Sequence, residues 1–99
     1  MSIMRMPAVK AETGHRSHAS IYNAIRAGLF TTGVAIGQRS VGWPSDEVHA
    51  INLARIAGKS ETEIRHLVEN LHSKRNSQAV DLITAASVGQ FNAGFKEAV

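Results

Sequence analysis

The sequence predicts a mainly α-helical fold with a small β-hairpin wing: a winged helix-turn-helix followed by additional C-terminal helices. Three observations carry this. Two short helical segments flank a polar turn within residues 6–27. A glycine-rich stretch over residues 30–43 alternates apolar and small residues with a period of two. Capped, amphipathic segments follow Pro44. At 99 residues and 43% hydrophobic content there is material for one compact core. With few aromatics, that core rests mainly on Ile, Leu, Val and Ala.

Met6 to Thr13 reads as the first helix, with Met6 and Val9 on one side and Gly14 as its stop. No element is assigned before Met6. His15-Arg16-Ser17 forms the polar turn. Ser17 or His18 opens a second helix to Ala27, carrying Ile21, Ile25 and Leu29 at four-residue spacing. Gly28 stands where a left-handed C-terminal cap is expected. Two short helices joined by a tight turn are a helix-turn-helix candidate, although helical hairpins with no role in DNA binding are also common. In the next stretch Val34 and Ile36 alternate with Ala35, and Val41 and Trp43 alternate with Gly42. That pattern gives two strands turning near Gly37-Gln38-Arg39-Ser40. So small a hairpin must lean on the helices, with Trp43 as its anchor in the core.

Ser45 reads as the cap of the next helix, with Asp46 and Glu47 in the first turn to suit the helix dipole. Gly58 ends it. Ser60 and Glu63 form a capping box. They launch the cleanest stripe of the chain, Ile64, Leu67, Val68 and Leu71, in a helix expected to reach Lys74 or Arg75. Val80, Leu82, Ile83 and Ala86 suit a further helix. Phe91 and Phe95 lie either in a frayed tail or in a helix that pairs with a second subunit. The expected organisation is a winged helix-turn-helix unit over residues 1–57, a helical extension over 58–88 used for packing or oligomerisation, and a flexible tail over 89–99.

Charge is distributed unevenly. Residues 1–44 hold Arg5, Lys10, Arg16, Arg26 and Arg39 against Glu12 alone, whereas residues 45–76 hold five acids and five bases. A basic first half suits a polyanion, although an ordinary solvated surface has the same composition. The absence of cysteine, of a membrane-length apolar run and of a secretory signal points to a soluble cytoplasmic protein.

Nothing in the residues supplies a catalytic set, so an enzyme, a cofactor and a metal are not expected. Ile56-Ala57-Gly58-Lys59-Ser60 ends like a phosphate-binding loop, but Leu53 stands where its first glycine belongs. Of the five histidines, His15 and His18 have no carboxylate near them to complete a metal site. His66 and His72 fall on different faces of their helix.

Set out in this order, the first half resembles the AlpA family of phage and prophage regulators, which is related to the DNA-binding module of MerR regulators and to excisionases. Arg5-Met6-Pro7-Ala8-Val9 is similar to the family's opening helix. Gly14, Ser17, Ile21-Tyr22, Ile25, and Gly28 with Phe30 resemble its recognition segment. Ile36-Gly37-x-Arg39 and Val41-Gly42-Trp43 resemble its wing, and Ser45-Asp46-Glu47-Val48 the helix that follows. The resemblance covers residue 5 to about residue 56. It departs from the family in three places: a turn one residue longer between Gly14 and Ser17, Thr31 and Gly33 in place of prolines, and His18 in place of a basic residue.

The resemblance implies a sequence-specific, DNA-binding transcriptional regulator of a phage, prophage or mobile element. An excisionase that bends attachment-site DNA would use the same contacts. The helix from Ser17 to Ala27 would enter the major groove. Its exposed candidates are Ser17, His18, Ser20, Asn23 and Arg26, with Arg16 in the turn before it. Tyr22 would meet backbone phosphate or pack under the wing. Gln38 and Arg39 at the wing tip would reach the minor groove or backbone. The implied partner is double-stranded DNA, bound as a homo-oligomer or cooperative array, with an integrase or RNA polymerase as a protein contact. The reading of a different class is a protein-interaction module that docks a partner through the C-terminal stripe.

Overall fold

A computed structural model describes residues 2–90. Seven elements follow in order: β1 (Ile3–Arg5), α1 (Met6–Thr13), α2 (His18–Arg26), β2 (Val34–Ala35), β3 (Val41–Pro44), α3 (Ser45–Ile56) and α4 (Glu61–Gln90). The fold is mainly helical with a three-stranded antiparallel sheet in the order β1-β3-β2. The two helices of the helix-turn-helix, the hairpin and the two helices expected directly after Pro44 are all present.

Local chemistry explains the boundaries. Pro7 in the first turn of α1 needs no amide hydrogen there, and Gly14 ends the helix at φ 77°, donating its amide to Lys10 O at 2.9 Å. Ser17 caps α2 through its hydroxyl, which accepts from the Ser20 amide at 3.1 Å. Gly28 takes the left-handed conformation (φ 78°) just past α2. Ser60 and Glu63 form the reciprocal box that opens α4, each side chain accepting the other residue's amide at 3.2 Å.

Three details differ from the sequence reading. The first is β1, which pairs with β3 in the register Ile3–Pro44, Met4–Trp43 and Arg5–Gly42. Three residues are too few to show a period, so only the partner strand reveals this element. The second is Ser45, which is the first residue of α3 and not its cap. Pro44 holds the cap position, and the largely buried Ser45 hydroxyl accepts from the Ser2 amide at 3.0 Å. That bond fastens the start of the chain to the start of α3. The third is α4, which continues past Arg75 as one 30-residue helix instead of ending there. Phe91 and Phe95 lie outside the described residues.

The core draws on every helix and the central strand: Val9, Ile21, Phe30, Trp43, Val48, Ile51, Ile64 and Val68 are buried. Leu67 and Leu71 pack against them at partial burial. The α4 stripe is therefore spent on the chain's own core, which leaves the reading of that stripe as a partner-docking face without its surface. Trp43 sits at the centre. Its ring lies 6.3 Å from Phe30 and 6.5 Å from Tyr22, both tilted, and its indole nitrogen donates to Thr31 O at 2.8 Å. The wing is anchored in the core, as the sequence led one to expect.

Candidate nucleic-acid interface

α2 turns Ile21, Ile25 and Ala24 to the core and leaves the opposite face open. Along the open face His18, Tyr22 and Arg26 follow one another at four-residue spacing, so they form a single stripe. A helix with a diameter of about 10–12 Å fits a DNA major groove about 12 Å wide, and the nine residues, roughly 13.5 Å long, span only a few base-pair steps.

The upper end of this stripe faces the wing across a shallow cleft. Arg5, His18, Tyr22, Arg39, Val41 and Trp43 line it. The cleft brings together three parts of the chain: the β1–α1 junction at Arg5, Met6 and Pro7, the first turns of α2, and the wing tip with the strand that follows it. The Tyr22 ring lies 6.5 Å from that of Trp43, and the residue remains 40% exposed. The wing turn closes with the Ile36 amide donating to Ser40 O at 2.9 Å. That closure leaves Gln38 and Arg39 exposed at its tip.

Other candidates are placed less simply. Ser17 uses its oxygen as the α2 cap and keeps its hydroxyl hydrogen for a further acceptor. Ser20 is half-buried and bonded to His15, whose Nδ1 lies 2.6 Å from the Ser20 hydroxyl. Burial first, and the Arg55 guanidinium second, push the His15 pKa below its ordinary value. The neutral ring is thereby favoured. Ser20 was expected on the open face and instead braces the helix-turn-helix turn. Arg26 and Asn23 are both exposed and bonded to each other, Arg26 Nη2 to Asn23 Oδ1 at 2.5 Å. Arg16 and His18 are exposed.

Arg5 was not among the expected contacts. In the sequence it reads only as the residue before a helix, and the β1–β3 pairing is what carries it to the cleft. Its guanidinium donates to the Ser40 hydroxyl at 3.5 Å, a long bond.

Four acids of the described residues are engaged elsewhere. Glu12 lies 4.0 Å from His49, Glu63 3.7 Å from Lys59, Glu61 3.7 Å from Arg65, and Glu47 binds Arg75. Among the described residues none of these pairs involves Arg5, Arg16, Arg26 or Arg39. Among the described residues the α2-and-wing face is therefore left positively charged. Among the described residues no cluster of three His, Cys, Asp or Glu side chains could hold a metal, and no helix is long and apolar enough to cross a membrane.

Residues 2–50 match the family model described as prophage CP4-57 regulatory protein (AlpA). Over those residues the chain is of the AlpA family. The matched stretch contains β1, both helices of the helix-turn-helix, the wing and the first turns of α3. All of the cleft lies inside this AlpA segment, whereas α4 lies beyond it. No curated protein and no solved structure matches the chain.

Proposed function

We propose that this AlpA-type protein is a sequence-specific, DNA-binding transcriptional regulator of a prophage or related mobile element. The observation that carries the reading is the convergence of Arg5, Arg39, His18 and Tyr22 on one cleft beside the open face of α2, with no acid paired to its arginines among the described residues. α2 lies in the major groove, where Asn23 suits adenine and Arg26 suits guanine or a phosphate. Ser17, Arg16 and Tyr22 position the backbone. Gln38 and Arg39 reach from the wing into the neighbouring minor groove or onto its phosphates, and Arg5 holds a phosphate between wing and helix. Each half-site covers only a few base pairs, so useful affinity requires a second copy or adjacent sites about 34 Å apart.

The test is substitution on the two arms of the interface. Arg26→Ala and Arg39→Ala should each weaken binding to DNA from upstream of the protein's own gene by about tenfold, read by fluorescence anisotropy. Their melting curves should match the parent, because both side chains are exposed. Arg26→Ala should also relax base preference, and Arg39→Ala should weaken all sequences alike. Undiminished binding in both variants would remove this face as the DNA site.

A further inference from the structure

We infer that α4, which lies outside the AlpA segment, sets the angle between recognition helix and wing, and that Arg75 and His72 are the residues through which it does so. The inference rests on the DNA-binding reading for its consequence, although the clamp itself is a matter of geometry.

The wing needs such a device. β2 is an edge strand of two residues, tied to the sheet only by the Val34–Gly42 and Ala35–Val41 pairs. A ladder so short is marginal on its own. Its direction is therefore decided by how the chain enters it, at Thr32 and Gly33.

Both backbone groups of Thr32 are taken by α4. Its amide donates to His72 Nε2 at 3.1 Å, and its carbonyl accepts from Arg75 Nη2 at 2.7 Å. Arg75 Nη1 also reaches the Thr32 hydroxyl at 3.3 Å. The same guanidinium grips the Glu47 carboxylate with two bonds, Nε to Oε2 at 2.7 Å and Nη2 to Oε1 at 2.6 Å. Glu47 is 5% exposed and belongs to α3, so Arg75 is held rigidly while it holds Thr32. Ten residues earlier, Arg65 Nε donates to Ala27 O at 2.9 Å, at the C-terminal cap of α2. One helix thus grips the last turn of the recognition helix with one side chain and the root of the wing with two others. The planar five-donor fork of arginine allows Arg75 to serve carboxylate and carbonyl together, which a lysine cannot do.

The discriminating variant is Arg75→Lys combined with His72→Leu, which keeps the charge beside Glu47 and removes the hold on Thr32. Two readouts are needed. In the free protein, exchange of the Ile36 amide, which closes the wing turn, should quicken by about tenfold or more, while amides of the core helices keep their protection. In anisotropy with a labelled duplex of mixed sequence at low salt, Arg39→Ala should weaken the parent by about tenfold but the double variant by less than about twofold. Arg26→Ala should cost the same in both backgrounds. General loosening of the fold would not separate Arg39 from Arg26 in this way. If the double variant loses its cooperative melt, His72→Leu alone carries both measurements.

An unchanged Ile36 exchange rate, or an Arg39→Ala cost equal in both backgrounds, would overturn the clamp. A parent protein that binds no duplex at all would instead sink the DNA-binding reading, and the exchange measurement would still decide the clamp.

Discussion

Trp43→Ala should lower the stability of the protein by about 3–5 kcal/mol, a large part of the roughly 5–15 kcal/mol typical of a domain. Trp43 is fully buried, and its ring fills the space among Phe30, Tyr22 and the sheet. Truncation leaves a cavity where wing, recognition helix and core meet, and the short hairpin cannot close over it by itself. Circular dichroism in a urea titration is the suitable readout, because the variant lacks the only tryptophan. Trp43→Phe should fall between the two. It keeps aromatic packing but leaves Thr31 O without the indole donor, at a cost of about 1–3 kcal/mol. A midpoint for Trp43→Ala near that of the parent would mean that the wing is not held by the core.

Arg75→Met should be about as severe, at about 3–5 kcal/mol, because it strands a buried carboxylate. Glu47 is 5% exposed, and every side-chain bond found for it runs to Arg75. Replacing both partners, as Glu47→Leu with Arg75→Met, should recover most of that loss, since no charge is then left without a counter-ion. The residual deficit in the double replacement reports the bonds to Thr32. Raising the salt concentration should barely change these differences, because the pair is shielded from solvent ions. If the single and double variants melt together, Glu47 is not the group that makes Arg75 costly to lose. A comparable loss for Lys59→Met would be unexpected. Its partner Glu63 is exposed and retains the Ser60 bonds.

The elements legible in the sequence are those whose signal is local. Gly14 and Gly28 mark helix ends through their own backbone conformation, and the Ser60–Glu63 box lies within four residues. The Ile64-Leu67-Val68-Leu71 stripe repeats often enough to show its period. What escaped depends on distant partners. β1 exists because Met4 pairs with Trp43 and the Ser2 amide reaches Ser45, neither of which leaves a trace in three residues. Ser45 looked like a cap because Ser before two acids ordinarily is one. Here the Ser2 amide claims its hydroxyl, and Pro44 takes the cap position. The candidate site divides in the same way. Tyr22, Arg39 and the open face of α2 follow from helical spacing and the hairpin turn. Ser20 turned toward the ring of His15, five residues away, and shares a hydrogen bond with it. Arg5 reached the cleft through strand pairing, and Arg75 meets Thr32 across 43 residues of chain. Contacts of that separation have no sequence signature, and the resemblance to AlpA ends before α4 begins.

The face formed by α2, the wing and Arg5 is proposed to bind DNA and to read its sequence. The most direct test is fluorescence anisotropy of the protein with DNA from upstream of its own gene, against random duplex, across a range of salt concentrations. Binding to one fragment should be tighter by about a thousandfold or more, with affinity falling steeply as salt rises. Equal, weak binding to every fragment, or affinity insensitive to salt, would contradict it.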